Sequence, residues 1–176
     1  MSRLFGPAFQ FAFVVEDIDA AIQHWTGTLG VGPFFMFPLP LELAWLELNG
    51  QRTDRHDICS AVALAYSGDT QIELISPGPD PSPYREFLDA GRSGLHHVGT
   101  VADDYDAQLA AARAAGITVE LEGQLPIARF AYLATEGPVP GSRIELIDVS
   151  PAMAELLAGL KRAAVDWDGS EPVRNF

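Results

Sequence analysis

The sequence predicts an α+β fold of two paired β-α-β-β-β modules, whose sheets join into one cupped mixed sheet, followed by a C-terminal helix. Three observations carry this. The word QFAFVVEDIDAA from Gln10 returns as HVGTVADDYDAQ from His97, an offset of 87 that carries Asp17 onto Asp104 and Asp19 onto Asp106. The tetrapeptide IELI at residues 72–75 recurs unchanged at 144–147, an offset of 72. Both words keep their order in each half, as duplicated structural units do.

The elements follow in order. Residues 10–15 form a β-rich run, and Asp17 suits the N-cap of a helix reaching about Leu29, closed by Gly30. Residues 44–48, 58–66 and 70–75 read as the remaining strands of the first half. In the second half residues 97–102 are a strand, Asp104 caps an alanine-rich helix that Gly116 ends, and 118–122, 129–134 and 142–147 are strands. The first module therefore spans residues 8–77 and the second 95–150. The linker 78–94 holds a short helix at SPYREFL. Ser150-Pro151 opens the terminal helix, serine at the N-cap and proline at the first turn. Met153, Leu156, Leu157 and Leu160 give that helix one apolar face that must pack on something, a second subunit being a candidate. Residues 151–176 thus hold a helix and a polar tail, DWDGSEPVRNF.

Composition excludes several classes of function. The net charge of −13 arises from 24 acidic against 11 basic residues, with Lys161 the only lysine. Phosphate backbones are held by Lys/Arg clusters, so nucleic acid is not an expected partner. No stretch approaches the roughly 20 apolar residues of a membrane span, and no signal-peptide pattern opens the chain. A single cysteine, Cys59, allows no internal disulfide, so a reducing, cytoplasmic setting is expected.

Four polar residues occupy strands where burial favours apolar ones. Gln10 and His97 are equivalent through the first word of the repeat, and Glu73 and Glu145 through the second. Side chains alternate along a strand, so both glutamates point away from the isoleucine and leucine that flank them. If those apolar neighbours pack on helices, the glutamates face the open side of the cup. A lone strand glutamate more often meets solvent. Two repeat-related pairs favour one shared divalent metal ion, since a cation offsets the cost of burying two carboxylates. Two carboxylates, an imidazole and an amide oxygen suit Zn, Ni, Co, Mn or Fe.

These words, VVEDIDAA, IELISP, GLHHVG and the second IELI, resemble the vicinal oxygen chelate superfamily over about residues 8–150. That superfamily includes glyoxalase I, methylmalonyl-CoA epimerase, extradiol dioxygenases and drug-sequestering resistance proteins. The resemblance implies a glyoxalase-like cup with metal ligands on the first and last strand of each module. It places them at Gln10, Glu73, His97 and Glu145, with His96 facing the other way. This set is similar to the zinc site of eukaryotic-type glyoxalase I, whereas GLHHVG and SPYREFL look more like methylmalonyl-CoA epimerase. The implied chemistry is proton movement next to a carbonyl, with Glu145 or Glu73 as the base and Glu145 favoured by similarity.

The implied activity is a lyase, isomerase or acyl-CoA epimerase step on a small carbonyl or thioester substrate, in a protein that is often a homodimer. A metal-free protein that binds or sequesters a small hydrophobic ligand is the alternative. A ring-cleaving dioxygenase fits less well, because its iron site uses two histidines and position 10 is glutamine. Phe35, Phe37 and Trp45 from the aromatic stretch, and Tyr132 from a second-half strand, are candidate substrate contacts, with ordinary core and dimer contact slightly favoured for the aromatic stretch. Arg129 and Tyr132 cannot both reach the cup, given strand alternation.

Overall fold

The computed structural model describes residues 4–176. The first half runs through β1 (Ala8–Val14), α1 (Ile18–Gly27), β2 (Phe34–Met36), β3 (Trp45–Leu48), β4 (Gln51–Arg52), β5 (Cys59–Ser67) and β6 (Thr70–Pro77). The short helix α2 (Pro83–Asp89) leads to β7 (Gly94–Val101), α3 (Tyr105–Ala114), β8 (Val119–Leu125), β9 (Ala128–Leu133) and β10 (Arg143–Val149). Helix α4 (Pro151–Ala164) and a last strand, β11 (Val173–Asn175), complete the chain. All strands join one curled sheet in the order β11-β2-β5-β6-β1-β7-β10-β9-β8-β3-β4. The duplication is visible in it: β2-β5-β6-β1 is answered by β8-β9-β10-β7. β1 and β7 meet antiparallel at the centre, and each pairs in parallel with the IELI strand of its own half.

Local chemistry repeats with the topology. Asp17 accepts from the Ala20 N–H at 2.9 Å and Asp104 from the Ala107 N–H at 3.0 Å, the same cap at the start of α1 and α3. Ser82 and Ser150 cap α2 and α4 in the same way, each followed by proline. Alternation then sorts the IELI strands. Ile72 and Leu74 join the core beneath α1, and Ile144 and Leu146 the core beneath α3. Glu73, Ile75, Glu145 and Ile147 face the cup. Among the described residues no helix is long and apolar enough to cross a membrane.

Three features differ from expectation. The outer strand of the first half is β2, which pairs with β5. It is only three residues long and lies between Pro33 and Pro38, so proline masks it in the sequence. Residues 45–48 are a strand, but β3 and its hairpin partner β4 cross to the second half, where Trp45–Leu48 pair with β8. Arg52 fixes that hairpin by pairing with Glu47 at 2.8 Å and stacking on Trp45.

The tail is folded, not a loose polar end. β11 lies parallel to β2, and Phe176 packs on Phe35 and Phe37. The Trp167 ring lies so close to Gly32 that a Cβ there would stand 2.7 Å from it. Helix α4 turns Met153, Leu157, Leu160 and Ala164 onto the chain's own cup. Leu160 is buried there, with Leu157 and Ala164 beside it. Fully burying a leucine contributes about 1.5–3 kcal/mol, so Leu160 gives the helix a reason to dock on the cup.

Candidate metal centre

The floor of the cup is built from the central strands. His97 Nε2 lies 3.4 Å from Glu73 Oε2 and 3.3 Å from Glu145 Oε2. One ligand atom from each of the three residues lies within 4.8 Å of the others. Gln10 reaches the same cavity from β1. Its Nε2 donates to Gln71 Oε1 at 2.8 Å, which leaves the amide oxygen free. Gln10 Oε1, Glu73 Oε2 and His97 Nε2 are all buried without a hydrogen-bond partner. Unsatisfied buried polar atoms are rare and cost about 1–3 kcal/mol each.

These atoms fit a divalent cation. Ligands at about 2.1 Å on a tetrahedral ion stand roughly 3.4 Å apart, the spacing His97 shows to both carboxylates. The donor set is two carboxylates, an imidazole and an amide oxygen, all suited to zinc or a neighbouring transition metal. Protons respond to the same lack of positive charge. Burial drives the His97 imidazole down, but the facing Glu145 and Glu73 outweigh it and hold its pKa up at about 9. Burial raises the Glu73 carboxyl, against the pull of His97.

His96 does not face away from His97. In the β1–β7 pairing Ala12 opposes His97 but Phe13 opposes Leu95, so His96 is the extra residue of a β-bulge. Such a bulge re-aims a side chain, and the two imidazoles meet Nδ1 to Nδ1 at 3.0 Å. The matching irregularity on β1 falls at Phe9, 87 residues earlier, and Phe9 lines the cavity. Arg143 sits behind His96, with NH1 2.6 Å from Nε2, and pairs with Glu120 and Glu136. Burial, ahead of the charges on His97 and Arg143, drives the His96 pKa down to about 2 and keeps it neutral.

Above the floor lies a cavity of about 90 Å³. Of the aromatic candidates, Phe37 and Tyr132 line it. Phe35 instead packs on Phe176, and Trp45 Nε1 donates to Gln124 on the neighbouring strand β8. Arg129 pairs with Asp106 and Asp148, leaving the cup to Tyr132. Tyr84 of the SPYREFL helix, not singled out from the sequence, donates to the Tyr132 hydroxyl at 2.7 Å and stands in the same wall. Met153 and Leu157 of α4 also line the cavity. Burial raises the Cys59 thiol and holds the Tyr84 and Tyr132 hydroxyls well above their ordinary range. Glu73 and Glu145 are the carboxylates among the described residues that line the cavity.

No curated protein matches the sequence. Among solved structures, a methylmalonyl-CoA epimerase from Mycobacterium tuberculosis is similar at 23% identity, with a TM-score of 0.57 over 88% of this chain and 95% of that one. A methylmalonyl-CoA epimerase variant from Streptomyces coelicolor, in complex with 2-nitronate-propionyl-CoA, is similar at 18% identity and a TM-score of 0.57, over 84% and 96%. At this identity they establish the fold. The sequence pattern of the Glyoxalase/Bleomycin resistance protein/Dioxygenase superfamily matches residues 9–132, and with the paired modules and their shared cup it shows that the chain belongs to that superfamily, the vicinal oxygen chelate proteins.

Proposed function

We propose that the chain is a metal-dependent enzyme that moves a proton next to a carbonyl, a lyase or isomerase of the glyoxalase and epimerase kind. One divalent ion, zinc first, would be held by Gln10, Glu73, His97 and Glu145. The observation that carries this reading is the set of three buried atoms without a hydrogen bond, Gln10 Oε1, Glu73 Oε2 and His97 Nε2, beside an apolar cavity that Gln10 and Glu73 line. When bound, the ion would polarise a substrate oxygen as a Lewis acid and lower the free energy of an enolate or enediolate.

The chain's own residues do the rest. Glu145 takes and returns the proton, and Glu73, made more basic by burial, is the second carboxylate able to do so. Gln10 and His97 hold their places and move no proton. Tyr132, accepting from Tyr84, keeps its own hydrogen for a substrate oxygen. The apolar walls keep water from the carbanion-like state.

The test is metal analysis of protein purified without added metal and after reconstitution with zinc, cobalt or manganese, beside Glu145→Gln. Stoichiometric metal in the parent and its loss in the variant are expected. So is solvent-deuterium uptake into carbonyl or thioester compounds. The apolar cavity also favours one other reading, a metal-free binding protein of the same fold. No metal in either protein, with unchanged ligand binding, would replace the enzyme by that reading.

A further inference from the structure

The cavity's charge and roof narrow its occupant. Among the described residues its only charged lining side chains are Glu73 and Glu145, both at the floor. The rest of the wall is apolar or neutral, with Phe9, Phe37, Val62, Leu125 and Phe130 prominent. No lysine or arginine among the described residues lines it. The chain has 11 such residues, ten of them beyond Arg3 and so described. Nine of the ten stand at ion-pair distance from a carboxylate elsewhere. The tenth, Arg174, lies over Phe35 and donates to the Glu171 carbonyl. A phosphate group is normally met by free Arg or Lys donors, and a protein of net charge −13 repels one.

The roof adds a steric argument. Met153 and Leu157 of α4 form one side of the cavity wall, and β11 and Phe176 pin the strand that leads to Phe37. The cavity volume, about 90 Å³, is below the roughly 150 Å³ of an apolar cavity that holds benzene.

We infer that the cup takes a compact, phosphate-free, largely apolar molecule that presents adjacent oxygens to the floor, and not a nucleotide-bearing thioester. This deepens the proposed function and rests on it for the oxygen end of the ligand. The body of the ligand is recognised by the wall and by α4. In this the chain departs from the epimerases it resembles in fold.

The test titrates zinc-loaded and metal-free protein while following the methyl NMR signals of Met153 and Leu157. The probes are isobutyrohydroxamate, phosphonoacetohydroxamate and methylmalonyl-CoA, with zinc content measured separately. Isobutyrohydroxamate should shift both methyl signals and bind at least about tenfold tighter than phosphonoacetohydroxamate, with methylmalonyl-CoA failing to displace it. Met153→Trp or Leu157→Trp, each filling the space under α4, should weaken it about tenfold while zinc content stays the same. Equal or tighter binding of the phosphonate or the CoA ester overturns the inference, as does the absence of any shift at the two methyls. Absence of bound zinc with the isobutyl preference intact removes the metal reading and leaves the inference standing.

Discussion

Gln71 and Arg143 occupy the same place in the two halves of the sheet, each two residues ahead of a cup glutamate and each opposite a first-strand candidate ligand. Gln71 accepts a hydrogen bond from Gln10, whereas Arg143 lies 2.6 Å from His96, which in turn meets His97. Both arrangements orient a donor atom toward the floor of the cup. Residues behind a metal ligand typically affect metal affinity by about 10–100-fold. His96→Ala is therefore expected to weaken zinc binding by about that factor with little change in fold, read by competition with a chromophoric chelator. Unchanged affinity would make His96 a packing residue only. Arg143→Met removes the partner of Glu120 and Glu136 as well, and is expected to lower stability by about 1–3 kcal/mol in denaturant unfolding.

Gly99 lies opposite Gln10 across the central strand pair and beside Glu145. A Cβ there would stand 2.2 Å from Gln10 Oε1. Gly99→Ala must push the Gln10 amide off its position, because the β7 backbone cannot retreat without breaking the ladder on both sides. Loss of about tenfold in zinc affinity, and about 1–3 kcal/mol of stability, is expected. A crystal structure with Gln10 unmoved and full affinity would show that the amide oxygen is not a ligand.

The repeat made the floor legible. Gln10, Glu73, His97 and Glu145 could be paired because two short words survive in both halves, and period-two alternation sorts Glu73 from Ile72 and Leu74 without any tertiary knowledge. The bulge at His96 was not legible, since one extra residue in a strand leaves no compositional trace and appears only in the cross-strand register. Strand β2 was hidden by its flanking prolines. The crossing of β3 to the second half depends on Leu46 packing near Phe130 and on Gly123 leaving room for both, contacts far apart in sequence. The fate of α4 was half legible: Met153, Leu157 and Leu160 announced an apolar face, but only the fold says that the cup covers it.

Asp80 ties the loop before β5 to the linker before α2. Its Oδ2 accepts from the Asp57 N–H and its Oδ1 from Arg55 Nε, both at 2.9 Å. The Asp57 N–H first, and then Arg55, hold the Asp80 carboxyl below its ordinary value. A carboxyl depressed in the folded state contributes stability that is present above the unfolded value. That stability is lost as pH falls through the folded one. The Asp57 amide proton should therefore keep its downfield NMR position through the ordinary carboxylate range and move upfield only below it. Asp80→Asn should remove the pH-dependent step. A shift centred at the ordinary carboxylate value would show that the loop is not held this way.

Cys59 reports on the roof. The residue is 6% exposed and lines the cavity next to Ile58, and burial raises its thiol pKa, which disfavours the thiolate at neutral pH. Alkylation needs both a thiolate and an approach path. Native protein at pH 7–8 should thus resist iodoacetamide, and unfolded protein should react readily. Leu157→Ala opens the space under α4 and removes part of the contact that docks the helix, at a cost of about 1–3 kcal/mol for a half-buried leucine. If α4 is the barrier, this variant should label faster at a denaturant concentration where global unfolding is negligible, and a ligand bound in the cavity should slow it again. Leu156→Ala is the comparison: Leu156 lies on the same helix but not in the cavity lining. Equal acceleration by both variants would mean that the helix protects Cys59 only through overall stability.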